Sequence, residues 1–268
     1  MFRIQQRPQR RLELAPSNNA YTPRSSTETG AASGEARTTP PMVVAATALR
    51  NAVSSALRAG EYELGETLLI QLRDLASFDW APAAARAELA RALGVVHIVA
   101  WREEDAERAK QALCELQAIA ERSNAGGIER EQLARAWSRE HGIADRCGDE
   151  DRAAEALATL QRNALAPDAS ELDWSLWARA LYRGHRARLA QRRRDEAAHL
   201  LSELRSLSRR TSCTSDERLC FARALIDAIW FARNPGSPRS RALRIECLAL
   251  LDGMPTQPTA RALRTRLP

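Results

Sequence analysis

Three of the four histidines, His97, His141 and His185, stand 44 residues apart. Imidazoles at regular spacing suggest metal ligation or a proton-linked switch. A metal is opposed by geometry, because equivalent positions of stacked helical hairpins lie roughly 8–10 Å apart, too far for three of them to reach one ion at bonds near ~2 Å. Ala90, Leu93, His97 and Ala100 are spaced 3, 4 and 3 apart, which makes one stripe of a helix. The same column holds Val53 and Ile229. His97, His141 and His185 are therefore read as a structural column, hydrogen-bonded between repeats. The alternative is a pH-sensitive stack, in which a buried imidazole forced to charge weakens the fold in acid.

A second column consists of Arg91, Arg135, Arg179 and Arg223, with Thr47 at the matching position upstream. On a helical wheel Arg91 points about 150° from the stripe of Leu93 and Ala100, towards solvent or a groove. Repeated along a stack, such guanidiniums form a ladder suited to carboxylates or phosphates, which they bind in a fork. The same column could equally be an ordinary solvated face, or pair with the Glu of a neighbouring helix. These four arginines are the candidate partner-binding residues. A separate run, Arg183, Arg186, Arg188, Arg192, Arg193 and Arg194, lies near Trp174, Trp177 and Tyr182, a mixture that can hold nucleic acid. Trp177 and Leu181 fall in packing columns, however, and a basic helix end is favoured by the helix dipole.

Catalytic constellations are not found in the sequence: it has no HExxH, GxSxG, phosphate loop or dinucleotide glycine fingerprint. The acid clusters Glu103-Glu-Asp105 and Asp149-Glu-Asp151 sit where helices begin and are read as caps. Cys114, Cys147, Cys213, Cys220 and Cys247 form an odd set with no CxxC pair, which suggests neither a disulfide frame nor a zinc site. Cys213 in a link is a free thiol without a paired base. The expectation is a non-enzyme with no cofactor and no metal. The net charge of +6 comes from 39 Arg and the single Lys110 against 34 acids. Half of it lies in residues 1–40, so the remainder is mildly basic rather than polycationic.

The elements that position these columns follow from composition and period. Ala, Leu, Arg and Glu dominate, residues that lose little entropy in a helix. Residues 1–40 are rich in Ser, Thr, Pro, Gly and Arg without sustained apolar periodicity, and read as a disordered tail. From residue 41 the chain repeats at 44 residues. Leu89-Ala-Arg-Ala-Leu-Gly-Val-Val-His97 is followed by Leu133-Ala-Arg-Ala-Trp-Ser-Arg-Glu-His141, Trp177-Ala-Arg-Ala-Leu-Tyr-Arg-Gly-His185 and Phe221-Ala-Arg-Ala-Leu-Ile-Asp-Ala-Ile229. Independent columns keep the same register: Leu69, Leu113, Leu157, Leu201 and Ile245, then Leu72, Leu116, Leu160, Leu204 and Leu248. Gly65, Ala109, Ala153 and Ala197 form a small-residue column that Arg241 breaks. Each unit reads as a first helix (84–101), a polar turn, a second helix (105–121) and a longer link. The units fall at about 41–80, 81–124, 125–167, 168–211 and 212–254, with a short helix after Pro258. The expected fold is all-α: a right-handed α-solenoid of about five stacked hairpins over 41–268, preceded by the 1–40 tail.

Ala59-Gly-Glu-Tyr-Glu-Leu-Gly-Glu-Thr-Leu-Leu69 resembles the middle of a tetratricopeptide repeat, and Asp195-Glu-Ala-Ala-His-Leu-Leu201 is similar. Leu93, Gly94 and His97 fit the spacing of that family's first helix. The unit is 44 residues rather than 34 and lacks the closing Pro, so residues 41–254 resemble a long-hairpin member of the tetratricopeptide-like superfamily. The resemblance implies a superhelix with a concave, partner-binding face.

The functional expectation is a protein-protein scaffold or adaptor that takes a partner peptide or helix in an Arg-lined groove. One alternative is a bacterial virulence effector exported by a dedicated, type III-like secretion system with residues 1–40 as leader. Another is a nucleic-acid-binding helical repeat, with steep salt dependence. No apolar run reaches about 18 residues and the N-terminus lacks a secretory apolar centre, so neither a membrane span nor general export is expected. The expected location is the cytoplasm.

Overall fold

The computed structural model describes residues 40–267 other than 79, 80, 233 and 235. The reading of residues 1–40 as a disordered tail lies, save for Pro40, outside the described residues. Among these described residues every regular element is a helix: α1 (Pro41–Ala59), α2 (Tyr62–Ser77), α3 (Ala83–Arg102), α4 (Ala106–Ala120), α5 (Gly127–Cys147), α6 (Glu150–Ala164), α7 (Glu171–Ala190), α8 (Arg194–Ser208), α9 (Ser215–Trp230), α10 (Pro238–Asp252) and α11 (Pro258–Arg264). Odd-numbered helices up to α9 pair with the even-numbered helix that follows. Each also packs on the next odd-numbered helix, as in α1 on α3, α3 on α5, α5 on α7 and α7 on α9.

The odd-numbered helices can approach one another because alanine lines their contact. Ala46, Ala90, Ala134, Ala178 and Ala222, 44 residues apart, are all fully buried, as are Ala92, Ala136, Ala180 and Ala224 two residues further on. A helix turns about 100° per residue, so a residue flanked by two buried neighbours points to the opposite side. That geometry turns Arg91, Arg135, Arg179 and Arg223 away from the core. Leu93, Leu181 and Leu225 fill the space between helices in the same layer and are fully buried.

The turns within the hairpins carry the period in their backbone. Gly60, Glu104, Gly148 and Arg192, 44 residues apart, all adopt left-handed φ, at 80°, 61°, 75° and 63°. This conformation ends the first helix and lets the chain reverse. Asp105 and Asp149 then cap the second helices, their side chains accepting from the backbone N–H of Arg108 and Arg152. The longer links end in capping boxes at Ser170 with Asp173 and Thr214 with Glu217.

The even-numbered helices are bridged on the outside by long-range forks. Arg73 of α2 grips Glu115 of α4 at 2.9 Å, and Arg205 of α8 grips Glu246 of α10 at 2.7 Å. Gly65 meets Leu57 so closely that a Cβ there would lie 2.7 Å from Leu57 Cδ2. In α10 the register departs from the sequence columns. Ile245 and Leu248, expected to pack, are 68% and 38% exposed, whereas Ser240, Cys247 and Leu251 are buried. Ser237 caps α10 with Pro238 at its first turn, and the buried face falls one residue earlier than in the other hairpins, a rotation of about 100°. Arg241, which breaks the small-residue column, is replaced there by buried Ser240.

Candidate functional site

The three column histidines are buried, each towards the next odd-numbered helix. His97 Nε2 lies 2.7 Å from Glu140 Oε1, to which Trp101 Nε1 also donates at 2.7 Å. Arg152 completes the set with an ion pair to Glu140 and its guanidinium 4.8 Å from the Trp101 ring centroid. Burial works against the Glu140 carboxylate, but bonds from His97 and Trp101 and the charge of Arg152 hold its pKa below the ordinary value. His141 Nδ1 is 3.6 Å from Asp145. Burial, and then Arg183 and Arg188, push the His141 pKa down to about 4. His185 faces two carbonyls, Ala197 O at 2.8 Å from Nδ1 and Ala224 O at 3.1 Å from Nε2. Burial lowers its pKa against the pull of those two bonds. Among the described residues no group of three or more His, Cys, Asp or Glu is placed to hold a metal ion.

The Arg column is placed on one side of the odd-numbered helices, but much of its charge is answered within the chain. Arg91 pairs with Glu88 and Arg179 with Asp216, while Arg135 meets Glu131 at 2.6 Å. Arg223 is exposed, and no ion pair forms with Asp227 one turn later, although the i, i+4 spacing would allow it. Half of the run from Arg183 to Arg194 is engaged within the chain, while Arg186, Arg192 and Arg194 are exposed. Arg183 lies over Gly142 and donates at 2.7 Å to both Ser138 O and Ser138 Oγ. Arg188 bonds Glu196 at 3.1 Å, and Arg193 is held by Glu196 at 2.5 Å and by Glu150. Trp177 is buried, and Trp174 stacks under Arg210, whose guanidinium carbon is 3.1 Å from the ring centroid.

Arg139, which the sequence reading passed over, is the outlying group. It sits one turn after Arg135 on the same face of α5. Its Nη1 is sealed from solvent with no hydrogen-bond partner. Burial, reinforced by Arg135, lowers its pKa to about 10. A lowering of that size withholds on the order of 3 kcal/mol from the charged form. Its counterpart 44 residues later, Arg183, finds Ser138; the residue at the position of Ser138 one unit earlier is Gly94, which offers no side chain. The signal was present in sequence as an Arg at i+4 from Arg135 with no acid three or four residues away on the helix.

Burial keeps three of the five thiols in the protonated form. All five cysteines are unpaired. Burial raises Cys220 and Cys247 to about 11 and also raises half-buried Cys213. No helix among the described residues is long and apolar enough to cross a membrane. Comparison of the chain with family models, with curated proteins and with solved structures finds no match.

Proposed function

We propose that this chain is a non-catalytic scaffold of the tetratricopeptide-like kind, a right-handed solenoid of about five hairpins that binds an acidic peptide or helix along its first helices. The face that carries Arg91, Arg135, Arg179 and Arg223 is the concave, partner-facing side in this reading. The observation that carries it is Arg139. Arg139 is only partly exposed, lies beside a second arginine and has no carboxylate partner among the described residues, which costs the free protein stability that a partner's Asp or Glu over its exposed part restores. The pairs of Arg135 with Glu131 and of Arg179 with Asp216 are part-exposed contacts that an incoming carboxylate can share or displace, whereas Arg91 is tied to Glu88, a buried acid that also bonds Arg50.

The test is calorimetric titration of the full chain with a Glu-rich peptide, and separately with single-stranded RNA, at low and moderate salt. Saturable peptide binding that survives moderate salt and weakens at least tenfold in Arg139→Gln supports the scaffold. RNA binding that falls with a steep power of salt, together with no peptide binding, replaces it with the nucleic-acid reading.

A further inference from the structure

Beyond the shared face, α7, α9 and α11 enclose a pocket of about 330 Å³ lined by Tyr182, Arg186, Arg223, Ile226, Asp227, Leu263 and Arg266. Its floor is apolar, since Ile226 and Leu263 are buried. Its rim holds three exposed guanidiniums, Arg186, Arg223 and Arg266, none of which forms an ion pair or side-chain hydrogen bond among the described residues. Arg179, Arg183 and Arg188 of α7 are bonded within the chain, whereas Arg186 is not. Among the described lining residues the only acid is Asp227, and its Oδ2 is occupied by the Tyr182 hydroxyl, which donates to it at 3.2 Å. Three arginines and one aspartate leave the pocket with a charge of +2. A monocarboxylate would leave that surplus half unanswered, whereas a dianion cancels it. Guanidiniums supplied by α7, by α9 and by the turn after α11 also suit an anion with three equivalent oxygens better than one with two.

We propose that this pocket binds a phosphate monoester dianion carried on a side chain of the partner segment, that is, a phosphorylated residue. The proposal deepens the groove reading and rests on it for the source of the phosphate. Arg186, Arg223 and Arg266 form the fork, Ile226 and Leu263 form the apolar floor beside the ester carbon, and the volume admits the phosphate with the first atoms of its carrier. The packing of α11 against α9 completes the site by bringing in Arg266, whose backbone carbonyl accepts from Trp230 Nε1 at 3.3 Å.

The experiment is phosphorus NMR and Trp fluorescence of the full chain titrated with N-acetyl-phosphoserine amide, with inorganic phosphate and with N-acetyl-serine amide. A Glu-rich peptide free of phosphate is titrated in parallel. The expected result is saturable binding of the phosphoserine amide that weakens at least tenfold in Arg223→Gln and in Arg266→Gln. It stays unchanged in Arg58→Gln, an exposed arginine far from the pocket in sequence that removes the same charge. All three variants keep the wild-type circular dichroism melt. Binding fades below about pH 6 as the phosphate takes up its second proton. Absence of saturation, equal binding by the pocket variants, or binding of inorganic phosphate without the monoester overturns the proposal. Phosphoserine binding without Glu-peptide binding leaves the pocket standing and removes the wider groove; the reverse removes the pocket alone.

Discussion

His97 Nε2 and Glu140 Oε1 meet at 2.7 Å although both side chains are wholly withdrawn from solvent, one on α3 and the other on α5. The pair is a bolt between consecutive first helices. His97 and Trp101 both bond Glu140 Oε1 and the charge of Arg152 lies beside Oε2, which is how a buried charge is tolerated. Glu140→Ala leaves three donors without their acceptor and is expected to cost about 3–5 kcal/mol. Urea unfolding checks this, and a loss below ~1 kcal/mol would show that the network does not hold the two helices.

Acid weakens the stack, with a direction fixed by His141 and Glu140. The His141 pKa falls to about 4 in the folded chain, against ~6.5 when unfolded. Its contribution is therefore intact above ~6.5 and is lost as pH falls between those values, because only the unfolded chain takes up the proton. Glu140, also held low when folded, adds to the loss at still lower pH. Stability against pH should fall by roughly 3 kcal/mol through this window on account of His141. In His141→Gln the slope between pH 6.5 and 4 should be visibly shallower; an unchanged slope would place the acid sensitivity elsewhere.

The left-handed turn position gives paired substitutions of opposite sign. Glu104 and Arg192 occupy φ values that suit glycine, as found at Gly60 and Gly148. Glu104→Gly should stabilise the chain by up to about 1 kcal/mol, and Gly148→Ala should destabilise it by about as much. Thermal melts of the two variants check this, and equal shifts in the same direction would contradict it.

The links contribute separately. Ser170 and Asp173 satisfy each other's backbone donors at the start of α7, so Ser170→Ala should lower stability by about 1 kcal/mol in denaturant unfolding. No effect would mean that packing alone fixes that helix start.

Much of this was legible because a duplicated unit repeats its spacing. The Ala-Arg-Ala steps mark the helix contact at Ala90, Ala134, Ala178 and Ala222, and the side opposite as the home of the arginines. The histidine spacing marks a position at the layer between helices. What spacing cannot encode is which charge finds which partner. Arg91, Arg135 and Arg179 look alike in sequence, yet their acids lie at three different offsets: Glu88 behind, Glu131 one turn behind, and Asp216 on the next first helix. The register of α10 was misjudged because Ile245 and Leu248 keep the period in sequence, while the start of that helix at Pro238 turns them outward. Arg139 was missed because its distinction is a lack: the glycine at position 94 removes the side chain that its counterpart uses.

Arg139 also supplies the most direct test of partner binding, because the reading requires one residue to oppose stability and support recognition together. Urea unfolding of the wild type and of Arg139→Met, each with and without a saturating Glu-rich peptide, measures both at once. If the free variant is the more stable by about 1 kcal/mol or more, and the peptide raises the midpoint of the wild type but not of the variant, the guanidinium is held for a partner's carboxylate. A variant less stable than the wild type, with the same midpoint shift on adding peptide, would contradict the scaffold reading.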